Sequence, residues 1–172
     1  MSYNNNTPLA SNSTFGVVRS GTNISIASGI ISSTGGGATV VGTWTPTVSV
    51  STAGTITLLV NTANYSKTGQ QITCYFDFTL LTKTGGANPN TLTLNGLPFT
   101  SISGTGAVGS LVVSIFQNLK LKSSYISGTV AGSSTVVPLY CIHESENNLR
   151  LTYADVQATT RLVGTVTYLS TP

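Results

Sequence analysis

Apolar and polar residues alternate along most of this chain, and the clearest stretch is Gln71 to Leu81. Ile72, Cys74, Phe76, Phe78 and Leu80 fall on one side of an extended strand, while Thr73, Tyr75, Asp77 and Thr79 fall on the other. That pattern predicts a half-buried β-strand with Asp77 facing solvent. Shorter runs of the same kind occur at Thr55–Val60, Thr91–Leu94, Ser110–Phe116, Leu119–Ile126, Val136–Ile142, Leu149–Tyr153 and Leu162–Leu169. Turn signals separate them: Gly85-Gly86, Asn88-Pro89-Asn90, Asn95-Gly96, Gly104–Gly109 and Gly132-Ser-Ser. About seven to nine short strands spaced ~8–15 residues apart predict an all-β fold, an antiparallel β-sandwich of the jelly-roll kind.

Two stretches also admit a helix. Ser110–Ser127 lacks Gly and Pro, and Glu144–Thr160 carries the best helix formers of the chain. Val, Ile, Thr and Tyr dominate both, and Leu119-Lys-Leu121-Lys cannot present a helical apolar face, so strands are expected in each. A single helical turn around Ser145–Asn148 remains compatible with the pattern.

The N-terminal part reads differently. Residues 1–15 are Asn-rich and patternless, which suits a flexible arm that orders against a partner. Residues 16–41 contain very short β-type segments, Val17-Val18, Ile24/Ile26 and Ile30-Ile31, punctuated by Gly and followed by Ser33-Thr-Gly-Gly-Gly-Ala38. So few residues cannot bury their own isoleucines; three copies about an axis can, which predicts a short triple-stranded neck built from Val18, Ile24, Ile26, Ile30 and Ile31. The head then occupies residues 42–172.

Composition changes the picture in one respect. Charged residues are 6% of the 172, against roughly 25% in ordinary soluble proteins, so solubility must rest on hydroxyls and amides. The net charge of +3 is scattered rather than gathered on one face, which argues against a nucleic-acid partner. No apolar run approaches the ~18 residues needed to span a bilayer, and the first residues have neither a basic nor an apolar segment, so neither membrane insertion nor a signal peptide is expected. Cys74 and Cys141 match no metal or redox spacing and read as buried free thiols.

Candidate chemistry is sparse. His143, the only histidine, sits in Cys141-Ile-His143-Glu144-Ser-Glu146. Along a strand Cys141 and His143 lie about 6.6 Å apart, too far for a thiol and its base, and one His with two distant Cys cannot complete a zinc site. Four acids in the whole chain leave no paired carboxylates, and no Gly-x-Ser-x-Gly elbow or phosphate loop is present. No enzyme activity, metal or cofactor is expected.

The remaining signals are structural punctuation. Gly42-Thr-Trp44-Thr-Pro46 places the sole Trp and a Pro at a strand start, where a large aromatic anchors the chain and a missing N–H is tolerated. Tyr65-Ser-Lys67-Thr-Gly69 reads as a strand end and turn, and Gly96-Leu-Pro98-Phe99 as a reversal that puts Phe99 on the core. Together, in this order and with Gly164-Thr-Val-Thr-Tyr168 near the end, these motifs resemble the C-terminal domain of viral fibre proteins, such as phage tail-fibre tips and the capsid fibres of large viruses. The resemblance covers about residues 42–172; Thr68 departs from it, an aliphatic residue being usual there.

The resemblance implies a homotrimer carried on the virion, with the N-terminal arm held by a capsid or tail protein and the head meeting a glycan or protein of the host surface. Candidate receptor contacts on such a head are Asn88, Asn90, Tyr125, His143 and Glu146. A structural virion protein, decorating a capsid or connecting tail parts without binding a receptor, is the alternative.

Overall fold

The computed structural model describes residues 24–27, 30–33, 39–52, 54–85, 90–120, 125–142 and 149–171. The chain divides into two compact units, Met1–Ala38 and Thr39–Pro172. In the first, β1 (Ile24–Ala27) and β2 (Ile30–Ser33) pair antiparallel, with Ile26 opposite Ile31. Val18 and the N-terminal arm lie outside the described residues.

The second unit is all-β and antiparallel. Its strands are β3 (Val40–Thr43), β4 (Thr47–Val50), β5 (Thr55–Thr68), β6 (Gln71–Thr84), β7 (Leu92–Asn95), β8 (Ala107–Gln117), β9 (Tyr125–Ala131), β10 (Val136–Ile142), β11 (Leu149–Arg150) and β12 (Arg161–Leu169). Hydrogen bonding runs β3-β5-β6-β12-β8-β9-β10-β7-β4, and β11 pairs with β10. The two ends of this path, β3 and β4, are neighbours in sequence, joined only by Trp44, Thr45 and Pro46. The sheet must therefore curl until its ends meet across that link.

Curling gives the sheet an inside. Ile72, Cys74, Phe76, Phe78 and Leu80 of β6 are all buried, as their alternation predicts, and Phe76 stacks on Phe78 at 5.3 Å between ring centroids. They meet Leu162, Val166 and Tyr168 of β12, Leu111 and Val113 of β8, Ile126 and Val130 of β9, and Leu139 of β10 in one core. Cys74 and Cys141 are both buried, and no disulfide joins them.

Some elements differ from their sequence pattern. In the run expected over Leu119–Ile126, Leu119 and Lys120 are not in a strand, because Asn118 takes a left-handed φ of 57° and turns the chain; Tyr125 and Ile126 belong to β9, which continues through Gly128 to Ala131. The run over Leu149–Tyr153 is cut to two residues. There the Asp155 carboxylate accepts hydrogen bonds from the Thr152 N–H and hydroxyl, both at 2.7 Å, and closes a turn that competes with the ladder. The turn suggested at Ser145–Asn148 falls outside the described residues.

Asp77 is the main correction. Instead of facing solvent it is 8% exposed, and its carboxylate accepts two hydrogen bonds from Arg161, from Nε at 2.9 Å and Nη2 at 2.7 Å. A bulge in β5 leaves Asn61 without a partner on β6, and its amide donates to Asp77 Oδ1 at 3.1 Å. Arg161 stands on the neighbouring strand two residues from Val163, the residue that pairs with Asp77. The outward face of a strand is exposed only until other strands place long side chains over it.

Candidate functional site

The motif residues converge. Gly42 lies directly opposite Tyr65 in the β3–β5 ladder, and a Cβ there would come within 2.7 Å of the Tyr65 ring, so a side chain at this position would push the ring from where it lies. The Tyr65 ring also meets Phe99 in an edge-to-face contact, with centroids 5.2 Å apart. Lys67, two residues on, holds its ammonium 4.6 Å above the Phe99 ring and donates to the Thr171 carbonyl at 3.2 Å. Tyr168 completes the cluster through the Phe99 backbone, donating to its carbonyl at 2.9 Å and accepting from its N–H at 3.2 Å.

Trp44, Pro46, Gly69, Gly96 and Pro98 shape the approaches. Trp44 is buried, and its indole N–H donates to the Tyr75 carbonyl at 3.1 Å. Pro46 is buried immediately before β4. Gly69 turns β5 into β6 with φ 60°, and Gly96, at φ 88°, packs so closely on the Thr45 carbonyl that a side chain has no room. Pro98 is half-buried in the bend before Phe99. All this chemistry holds the strand ends together.

On the outward face beside this cluster lies an open groove of about 550 Å³, lined by Val41, Gly42, Thr43, Asn64, Tyr65, Ser66, Thr73 and Tyr75. Its floor is two adjacent transverse rows of paired residues: Thr43, Asn64 and Tyr75 in one, Val41, Ser66 and Thr73 in the other, each crossing β3, β5 and β6. Tyr75 is 40% exposed and Val41 74%. None of the eight lining residues is charged. Among the described residues, the side chains of Thr43, Asn64, Ser66 and Thr73 form no hydrogen bond to another protein group.

Neither of the described receptor-contact candidates, Asn90 and Tyr125, lines this groove. Asn90 is half-buried and engaged: its side-chain oxygen accepts from the Thr52 hydroxyl at 2.6 Å, and its carbonyl from the Tyr153 N–H at 2.7 Å. Tyr125 opens β9 with 38% exposure. Asn88, His143 and Glu146 lie outside the described residues. The alternation in β6 marks Thr73 and Tyr75 as outward-facing, but nothing local in the sequence says that β5 and β3 lie beside them and make a concave surface.

Among the described residues no three His, Cys, Asp or Glu side chains gather in a way that could hold a metal ion. Among the described residues, no helix is long and apolar enough to cross a membrane. Comparison with protein-family models, curated proteins and solved structures finds no match for the chain.

Proposed function

We propose that this chain is a viral fibre or spike protein, carried on the virion by its N-terminal arm, with the β head serving attachment to a glycan of the host surface. One observation carries the reading: Gly42, Tyr65, Lys67, Phe99 and Tyr168, drawn from four motifs spread over most of the head, form a single contact cluster. Motifs that resemble those of fibre heads thus act here as one structural unit.

In this reading the curled sheet is a jelly-roll-like sandwich, and the chain is a homotrimer with a triple-stranded neck. The short β1–β2 pair fits that picture, because its eight residues include Ile24, Ile26, Ile30 and Ile31, apolar side chains that three copies about an axis can bury. Exposed Val112 (41%) and Ile115 (46%) on β8 add apolar surface suited to contact with another chain. The same patch favours the structural alternative, a capsid decoration or tail connector that uses this surface to seat on a neighbouring virion protein.

Two measurements test the proposal. Light scattering of the full chain is expected to give three times its 17.7 kDa mass, and a monomer overturns the trimer. Labelled chain is expected to bind intact cells or their extracted surface polysaccharide across a panel of bacteria and algae. Binding only to other virion proteins would decide for the structural alternative.

A further inference from the structure

We infer that the groove across β3, β5 and β6 is a binding site for a neutral hexose or N-acetylhexosamine unit, with the Tyr75 ring as its stacking platform and Asn64, Thr43, Ser66 and Thr73 as its polar contacts. This deepens the attachment reading of the head and rests on it.

The dimensions fit. Successive outward residues on one strand stand about 7 Å apart and two strand spacings span about 10 Å, so the two rows of the floor define a patch the size of one sugar ring with its hydroxyls. The volume of about 550 Å³ lies in the range of roughly 300–1,000 Å³ typical of small-molecule sites.

The chemistry of the lining selects among ligands. A pyranose has an apolar face of C–H groups and a rim of hydroxyls. Tyr75 and Val41 offer exposed apolar surface to the first, and one amide with three hydroxyls offers donors and acceptors to the second. Those four polar side chains are not used by the protein, so binding breaks no internal hydrogen bond. No lining side chain carries a charge, so a sialic acid or a sulfated sugar would lose hydration without gaining an ion pair from the lining.

The platform is also preformed. Tyr75 sits within the long β5–β6 ladder, pairs with Asn64 on one side and Thr165 on the other, and has its carbonyl held by the Trp44 indole. Little ordering is left to be done when a ligand arrives.

Saturation-transfer NMR on the full chain provides the test, with methyl glycosides of glucose, galactose, mannose and N-acetylglucosamine as neutral probes, and sialic acid and a heparin tetrasaccharide as charged ones. The expected result is transfer to at least one neutral glycoside, with binding weakened at least tenfold by Tyr75→Ala and unchanged by Leu81→Ala, a substitution at an exposed residue away from the groove. Thr43→Arg, on the exposed edge strand, leaves the Tyr75 ring in place but fills the groove, and must also abolish binding while the urea midpoint stays at the wild-type value. Neutral binding that survives both groove variants overturns the site and leaves the attachment reading standing. Preference for the charged probes overturns the ligand class. Absence of binding to any saccharide, together with absence of binding to cell polysaccharide, overturns the attachment reading as well.

Discussion

The hydroxyl of Tyr168 closes both backbone hydrogen-bonding groups of Phe99, donating to its carbonyl at 2.9 Å and accepting from its N–H at 3.2 Å. A side chain of the C-terminal strand thereby replaces a ladder partner for a bend 69 residues earlier in sequence. Tyr168 is only 1% exposed, so water cannot take over the task at its hydroxyl. Tyr168→Phe keeps the ring and removes the bridge; it should lower stability by about 1–3 kcal/mol. Urea denaturation with an unchanged slope and a lower midpoint is the expected outcome, and an unchanged midpoint would show that the bridge contributes nothing.

The Asp77–Arg161 pair makes a prediction about acid. Hydrogen bonds from Arg161 hold the Asp77 carboxyl below its usual value, against the opposing effect of burial. Because the folded pKa lies below the unfolded one, the stabilisation is complete above the unfolded pKa of about 4 and is lost as pH falls through the folded value. Asp77→Asn should therefore destabilise the head at pH 7 and flatten the fall in urea midpoint below about pH 4. An acid limb of the same steepness in both proteins would assign acid sensitivity to other carboxylates.

Both thiols should be silent in the folded protein. Burial pushes the Cys74 thiol up to about 12, beside the Tyr168 hydroxyl, and pushes Cys141 upward as well. At pH 8 only about one Cys74 in ten thousand is then thiolate, the reactive form. A colorimetric thiol reagent is expected to count no fast-reacting sulfur in buffer and two in denaturant. Rapid reaction of one in buffer would show that the core opens locally at that strand.

Thr159 is a site where stability can be gained. It is exposed, yet its φ of 80° is a conformation that β-branched residues rarely adopt. The surrounding bonds hold it there: its N–H donates to Leu80 at 2.7 Å, its carbonyl accepts from the Asn118 amide at 3.1 Å, and the next N–H, of Thr160, donates to Gln157 at 3.0 Å. Thr159→Asn keeps those backbone bonds and replaces a strained residue by one that tolerates positive φ, so stability should rise by about 0.5–1 kcal/mol, seen as a higher urea midpoint. A fall in stability would mean that the threonine side chain contributes a contact outweighing the strain.

The faces of β6 were legible residue by residue because a strand has a period of two, and one buried face imposes that period on the sequence. Asp77 shows where this reading stops. Its position on the outward face is read correctly, but its burial depends on Arg161, 84 residues away, and on a bulge at Asn61, and neither leaves a mark near Asp77. The groove has the same character. Tyr75 and Thr73 can be picked out as outward-facing, whereas their neighbours Asn64, Ser66, Thr43 and Val41 come from the pairing register of two other strands.

By itself, the sequence determined that this head is built of antiparallel strands, which side of the longest strand is buried, and where Trp44, Pro46, Gly69 and Gly96 interrupt the ladder. These are local properties, set by side-chain alternation and by the few backbone angles that Gly and Pro allow or forbid. Only the tertiary structure decided that β3 and β4, three residues apart, stand at opposite ends of one curled sheet. It likewise decided that Gly42, Tyr65, Lys67, Phe99 and Tyr168 touch, and that the groove beside them has no charged lining. Those facts depend on which distant strands pair and in what register, and pairing is set by the sum of contacts across the whole core, which no single segment encodes.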